Sequence, residues 1–165
     1  MIYTVRVSGA EIIAAFFRRA RNGSLSLAAA QAEAAQFKID LANDYQVVEV
    51  TESVVDIAMR LAEQHGLRGY DAVQLAAALS VHAARASAGL PLLNFVSADT
   101  ELNTAAAAEG LPVEDPQRSP LKLSAPSESY QTNVHSLLAF GVWRGALYAN
   151  LLVDFFNPLS SQVVD

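Results

Sequence analysis

Cysteine is absent from the chain. That excludes disulfides, thiolate zinc sites and cysteine nucleophiles, and it is compatible with a reducing compartment. Charge is sparse, at 17% of residues against 52% hydrophobic. Positive charge is the scarcer sign, with 11 Lys and Arg against 17 Asp and Glu and a net charge of -6. Such a total argues against binding nucleic acid through a broad phosphate-neutralising surface, and leaves room only for a local basic patch. No secretory leader is visible, because "MIYTVRVSGAE" meets an acid before any long apolar run. The most apolar late stretch, "SLLAFGVWRGALYANLLVDFF", is interrupted by Arg144 and Asp154 and reads as globular rather than as a membrane span. No internal repeat is found. The expectation is a cytoplasmic chain with no membrane association and enough apolar residues for a sizeable core.

The 165 residues suit one domain plus an appendage. Residues 2–8, "IYTVRVS", alternate and are β-branched, so they read as a strand. "EIIAAFFRRAR" reads as a helix that stops at Asn22-Gly23. An alanine-rich helix follows, with Ser26 as its N-cap, and then a strand at 45–50. Thr51 caps "ESVVDIAMRLAEQ", which ends at His65-Gly66. The helix opened by Asp71 comes next and is apolar nearly all round. Its only polar stripe is Gln74, Ala78, His82 and Arg85. A strand at 92–98, a short helix ended by Gly110 and a short strand "LPVED" complete the series. Strands alternating with helices predict an α/β fold with a mainly parallel sheet flanked by helices.

The character changes near Pro116. "PQRSPLKLSAPSESYQTN" is rich in proline and serine and reads as a linker. Residues 1–115 carry 8 basic and 14 acidic residues, net -6, whereas 116–165 carry 3 of each, net 0. Residues 1–116 therefore read as the domain, and 117–165 as a linker with an apolar tail.

In parallel α/β sheets, sites form beyond the C-terminal ends of the strands. Three acids are expected there, each near a helix N-terminus, where the dipole and free N–H groups favour negative charge: Glu11, Asp71 and Asp99. Asp99 in "SADTEL" also fits an ordinary helix cap, and Glu11 an ordinary first-turn acid. Asp71 is harder to reduce to a cap, because an acid at the head of so apolar a helix borders a partly buried cleft. Carboxylates without cysteine or paired histidine form the ligand set of a hard cation, Mg²⁺ or Mn²⁺. Such an ion polarises a phosphodiester and activates a bound water.

"SGAEIIAAFFRR", "GLRGYDAVQLAAAL" and "FVSADTELNTAAAAEGLPVEDP" resemble the successive motifs of PIN-domain nucleases, nearest to the VapC-like toxin branch. The resemblance covers about residues 2–116, and the second and third motifs together are its most specific part. It implies a three-layer α/β fold and Mg²⁺-dependent RNA hydrolysis by a toxin with a small antitoxin partner, often as a homodimer. Glu11, Asp71 and Asp99 match the second, third and fourth acids of that family. Ser97 matches a small hydroxyl residue before the last acid, suited to holding a metal-bound water or a neighbouring carboxylate.

The chain departs from the family at its start. The family's first strand, which ends in an acid and lies centrally between the strands matching 2–8 and 92–98, has no counterpart before Met1. The expectation is thus a domain lacking its central first strand, with one metal ligand fewer. One candidate filler is "YANLLVDFFNP", with 148–153 as the strand and Asp154 as the first acid; the plainer reading is a tail from an altered reading frame or of poorly ordered sequence. The functional alternative is an inactive remnant that acts as a protein-binding module, and a third reading is an unrelated α/β protein with ordinary caps.

Arg18, Arg19 and Arg21 form the only basic cluster, and Arg18 is the candidate for an RNA phosphate; a solvated helix end is the plainer account. His65 reads as a helix C-terminal residue and His82 as an exposed residue without a partner. Trp143 and Tyr148 read as buried apolar residues rather than RNA-stacking platforms.

Overall fold

The computed structural model describes residues 1–116 and the backbone of residues 137–139. Strand β1 (Ile2–Val5) runs directly into helix α1 (Arg6–Arg21). The strand expected over 2–8 is therefore shorter, and the helix begins five residues earlier than Glu11. Local propensity favours an extended Arg6–Val7–Ser8. Tertiary packing wins, because Ser8, Glu11, Ile12, Ala15 and Phe16 recur at i, i+3, i+4, i+7 and i+8 and are all buried.

Helix α2 (Leu27–Asn43) starts where Ser26 Oγ accepts the Ala29 N–H at 3.1 Å. Its Ala30, Ala34 and Phe37 pack against Ile12, Ala15 and Phe16 of α1. Strand β2 (Tyr45–Val48) pairs parallel with β1, in register from Ile2 with Tyr45 to Val5 with Val48. Helix α3 (Glu52–His65) is capped by Thr51 Oγ1, which accepts the Val54 N–H. It ends at Gly66, whose φ of 67° lies in the left-handed region that only glycine enters at no steric cost.

Helix α4 (Gly69–Ser87) buries a larger share of its residues than any other helix among the described residues. Its Ala72, Leu75, Ala76, Ala77 and Ala78 share one core with Val54, Ala58 and Leu61 of α3. The same core contains Leu93, Phe95 and Leu102. Burial of Leu75, Leu93 and Phe95 stabilises by roughly 1.5–3 kcal/mol each. Strand β3 (Asn94–Val96), helix α5 (Thr100–Ala108) and strand β4 (Val113–Glu114) follow, and β5 (Leu137–Ala139) closes the order.

The polar stripe expected to face solvent on α4 does not. Gln74, Ala78 and Arg85 are buried, and His82 is half-buried. Helix α4 is enclosed on most sides, so its polar groups must find partners inside. Arg85 Nε donates to the Pro91 carbonyl at 2.8 Å, and its Nη1 donates to the Tyr3 hydroxyl at 3.1 Å.

Among the described residues, five strands form one sheet in the order β2-β1-β5-β3-β4, and every neighbouring pair is parallel. The α/β fold with a parallel sheet is as expected. The centre differs from expectation: the position between β1 and β3 is filled, by 137–139 and not by 148–153. Leu137 and Leu138 pair with Ile2 and Tyr3 on one side. On the other side, Leu137, Leu138 and Ala139 pair with Asn94, Phe95 and Val96. Residues 148–153, Asp154, Trp143 and Tyr148 lie outside the described residues. Among the described residues, no helix is long and apolar enough to cross a membrane.

Candidate acidic site

Two strand ends lead to the site. The end of β1 passes straight into α1, whose second turn carries Glu11, and the end of β3 passes through Ser97 to Asp99. Asp71 belongs to the first turn of α4, two residues after the first helical residue. Glu11 and Asp99 follow strand ends as expected, whereas Asp71 lies at the head of α4, which follows helix α3 rather than a strand. The expected position at a helix head holds for Asp71 and Asp99 but not for Glu11, because α1 starts early.

Glu11 is 8% exposed and Asp71 5%. Neither carboxylate is fully satisfied: among the described residues, Glu11 Oε1 and Asp71 Oδ1 are buried with no hydrogen-bond partner. The other Glu11 oxygen, Oε2, accepts from Gln74 Nε2 at 3.1 Å. Burial, reinforced by the nearby Asp71 charge, pushes the Glu11 carboxyl up to about 7, although the Gln74 bond opposes this. Burial also pushes Asp71 up, to about 6; Asp99 and Glu101 add to the rise and Arg68 opposes it. These couplings run from Glu11 to Asp71 to Asp99, so the fold brings the three acids into one electrostatic neighbourhood.

Asp99 has a second duty. Its Oδ1 accepts the Leu102 N–H at 2.9 Å and caps α5, so the ordinary capping reading is correct for that oxygen. Ser97 shapes the approach to it. The Ser97 hydroxyl accepts the Asp99 N–H at 3.0 Å, and the Ser97 carbonyl accepts from Asn103 Nδ2 at 2.7 Å. The hydroxyl thus orders the turn that presents Asp99, and its bond is to backbone rather than to a carboxylate.

Arg18 is not gathered with the acids. It is exposed in the last turn of α1, about 10 Å beyond Glu11 along the helix axis. His65 is engaged away from the site, with Nε2 2.8 Å from Glu109 Oε1. Two residues at the site were not read as part of it. Gln74 looked like a solvent-facing position. Ser8, one turn before Glu11 on the same buried face, carries a buried hydroxyl with no partner among the described residues. The signal for both was spacing, since Ser8 precedes Glu11 by three residues and Gln74 follows Asp71 by three, which places each beside its acid on a helix.

The residues present can be weighed against a divalent cation. Hard oxygen donors, two buried carboxylate oxygens without partners and a third acid nearby suit Mg²⁺ or Mn²⁺. Among the described residues, no group of three or more His, Asp or Glu side chains is drawn together closely enough to hold an ion. The donor chemistry therefore fits the ion, and the assembled geometry of a bound ion is not formed. Fold and site together define a parallel α/β protein with a buried acidic site at the strand ends. No protein-family model matches the chain, and no curated protein matches it.

Proposed function

We propose that this chain is a PIN-like, divalent-cation-dependent endoribonuclease of toxin–antitoxin type with the three-layer arrangement of that fold. The observation that supports this best is the pair of buried carboxylates, Glu11 and Asp71, each with an oxygen left without a partner among the described residues, beside Asp99. Burying an acid without a partner is costly, and a ligand that neutralises it offsets that cost. Glu11 and Asp71 would hold Mg²⁺ or Mn²⁺, with Asp99 as the third acid. When bound, the cation supplies charge stabilisation at the scissile phosphate and a water of lowered pKa.

The protein's own groups have separate tasks. Burial holds the Glu11 carboxyl up near 7, so Glu11 would give up a proton on taking a cation. Asp71, at the head of the enclosed α4, fixes one side of the site. Ser97 holds the turn that delivers Asp99. Arg18, further along α1, would hold an RNA phosphate away from the reacting bond. A small antitoxin protein and a homodimeric state complete the reading in a cytoplasmic setting.

Asp71→Asn should lower Mg²⁺-dependent RNA cleavage at least 100-fold, a loss of about 2.7 kcal/mol or more in transition-state stabilisation. Undiminished cleavage by this variant sinks the assignment. One observation favours the second reading, an inactive remnant acting as a binding module: the absence of a drawn-together ligand group among the described residues. Saturable Mn²⁺ binding accompanied by thermal stabilisation selects the enzyme; absence of both selects the remnant.

A further inference from the structure

Gln74 is outside the acidic set, yet it is only 3% exposed. It follows Asp71 by one turn of α4, so the two side chains share a helix face. Its Nε2 reaches across to α1 and donates to Glu11 Oε2 at 3.1 Å. That bond makes the two Glu11 oxygens unequal: Oε2 is engaged, and Oε1 is buried without a partner among the described residues. An amide suits this task, because it donates a hydrogen bond without bringing a positive charge that would compete with a cation. The helix that carries Asp71 therefore also sets the rotation of Glu11.

We propose that Gln74 is a positioning residue of the acidic site, fixing the Glu11 carboxylate so that Oε1 is the oxygen left for the divalent cation. This rests on the cation reading above and adds a residue to the same site. Groups that orient a metal-binding carboxylate through a hydrogen bond change metal affinity about 10–100-fold when removed. A bond that merely tied α1 to α4 would change stability and leave affinity alone.

The test is calorimetric titration of the full chain with Mn²⁺, with thermal denaturation in EDTA measured in parallel. Gln74→Met matches the glutamine in length and has no donor. Its Kd for Mn²⁺ should rise about tenfold or more while its circular dichroism spectrum stays that of the parent. In a Glu11→Gln background, the same change should have little further effect on Kd, because the carboxylate it positions is gone. An unchanged Kd in Gln74→Met overturns the proposal, and a lower melting temperature with unchanged Kd identifies a structural tie instead. Absence of Mn²⁺ binding by the parent overturns the cation reading itself, and this inference with it. Gln74→Asn, polar but one methylene too short to reach Glu11, carries the same expectation should the methionine variant fail to fold.

Discussion

Glu11 and Asp71 are carboxyls that the fold holds in an unfavourable setting for charge. Their ordinary values of 4.5 and 3.8 rise to about 7 and about 6. Between the ordinary and raised values, the folded chain keeps protons that the unfolded chain has released. Stability from these groups is therefore greatest below about pH 4 and is lost as pH rises through 6 to 7. In EDTA, the melting temperature should fall from pH 5 to pH 8, with a loss on the order of 2–3 kcal/mol. Asp71→Asn removes one of the two groups and the repulsion it exerts on the other, so its profile should be flatter. A melting temperature that rises steadily over this range would show that the two acids are not buried as described. Asp71 and Asp99 were legible in the sequence because an acid that opens a helix is a local signal. Gln74 was not, because its spacing with Ala78, His82 and Arg85 describes one stripe of a helix. Whether that stripe meets water depends on what surrounds the helix.

Elements were legible where their ends carry specific chemistry. Ser26, Thr51 and Asp99 each accept an N–H three residues on, and Gly66 ends α3 in the left-handed conformation. The start of α1 was not legible, since β-branched alternation in "IYTVRVS" continues past the point where packing converts the chain to helix. One contact between elements also emerged only from the fold. Glu109 lies at the C-terminal end of α5, where the helix dipole disfavours a negative charge. Helix α3 supplies compensation: Arg60 Nη2 at 3.3 Å, Gln64 Nε2 at 3.1 Å and His65 Nε2 at 2.8 Å. The bond with His65, before the contribution of Arg60, holds the Glu109 carboxyl below its ordinary range. Its stabilisation is present above the ordinary carboxyl value and is lost as pH falls through the lowered one. Glu109→Gln should therefore destabilise by about 0.5–1.5 kcal/mol at pH 7 in urea denaturation. The difference should shrink towards zero in acid, where the parent carboxyl is itself neutral. Equal stability at both pH values would mean that the cluster does not join α3 to α5.

At the scale of the molecule, the sheet depends on a strand far from its neighbours in sequence. The resemblance pointed to a gap between β1 and β3, and an apolar run ending in an acid pointed to 148–153 as its filler. The segment that fills it, Leu137–Ala139, is three residues long. Its apolar setting in "SLLAF" does not mark so short a piece as a central strand, because its position is set by pairing with strands more than 40 residues away. Its role is nonetheless central. It pairs with Ile2 and Tyr3 on one side and with Asn94, Phe95 and Val96 on the other. A chain ending at residue 116 would leave both flanking strands with backbone groups that lack their sheet partner, and buried groups in that state are costly. Those same strands deliver Glu11 and Asp99, so the acidic site should loosen together with the sheet. The shortened chain should lose its cooperative thermal transition, which the parent retains. Leu138→Pro in the full chain tests the same dependence without removing residues, because proline cannot donate in a strand paired on both sides and breaks the ladder there. A shortened chain that melts cooperatively at the parent temperature would show that β1 and β3 do not depend on the strand between them.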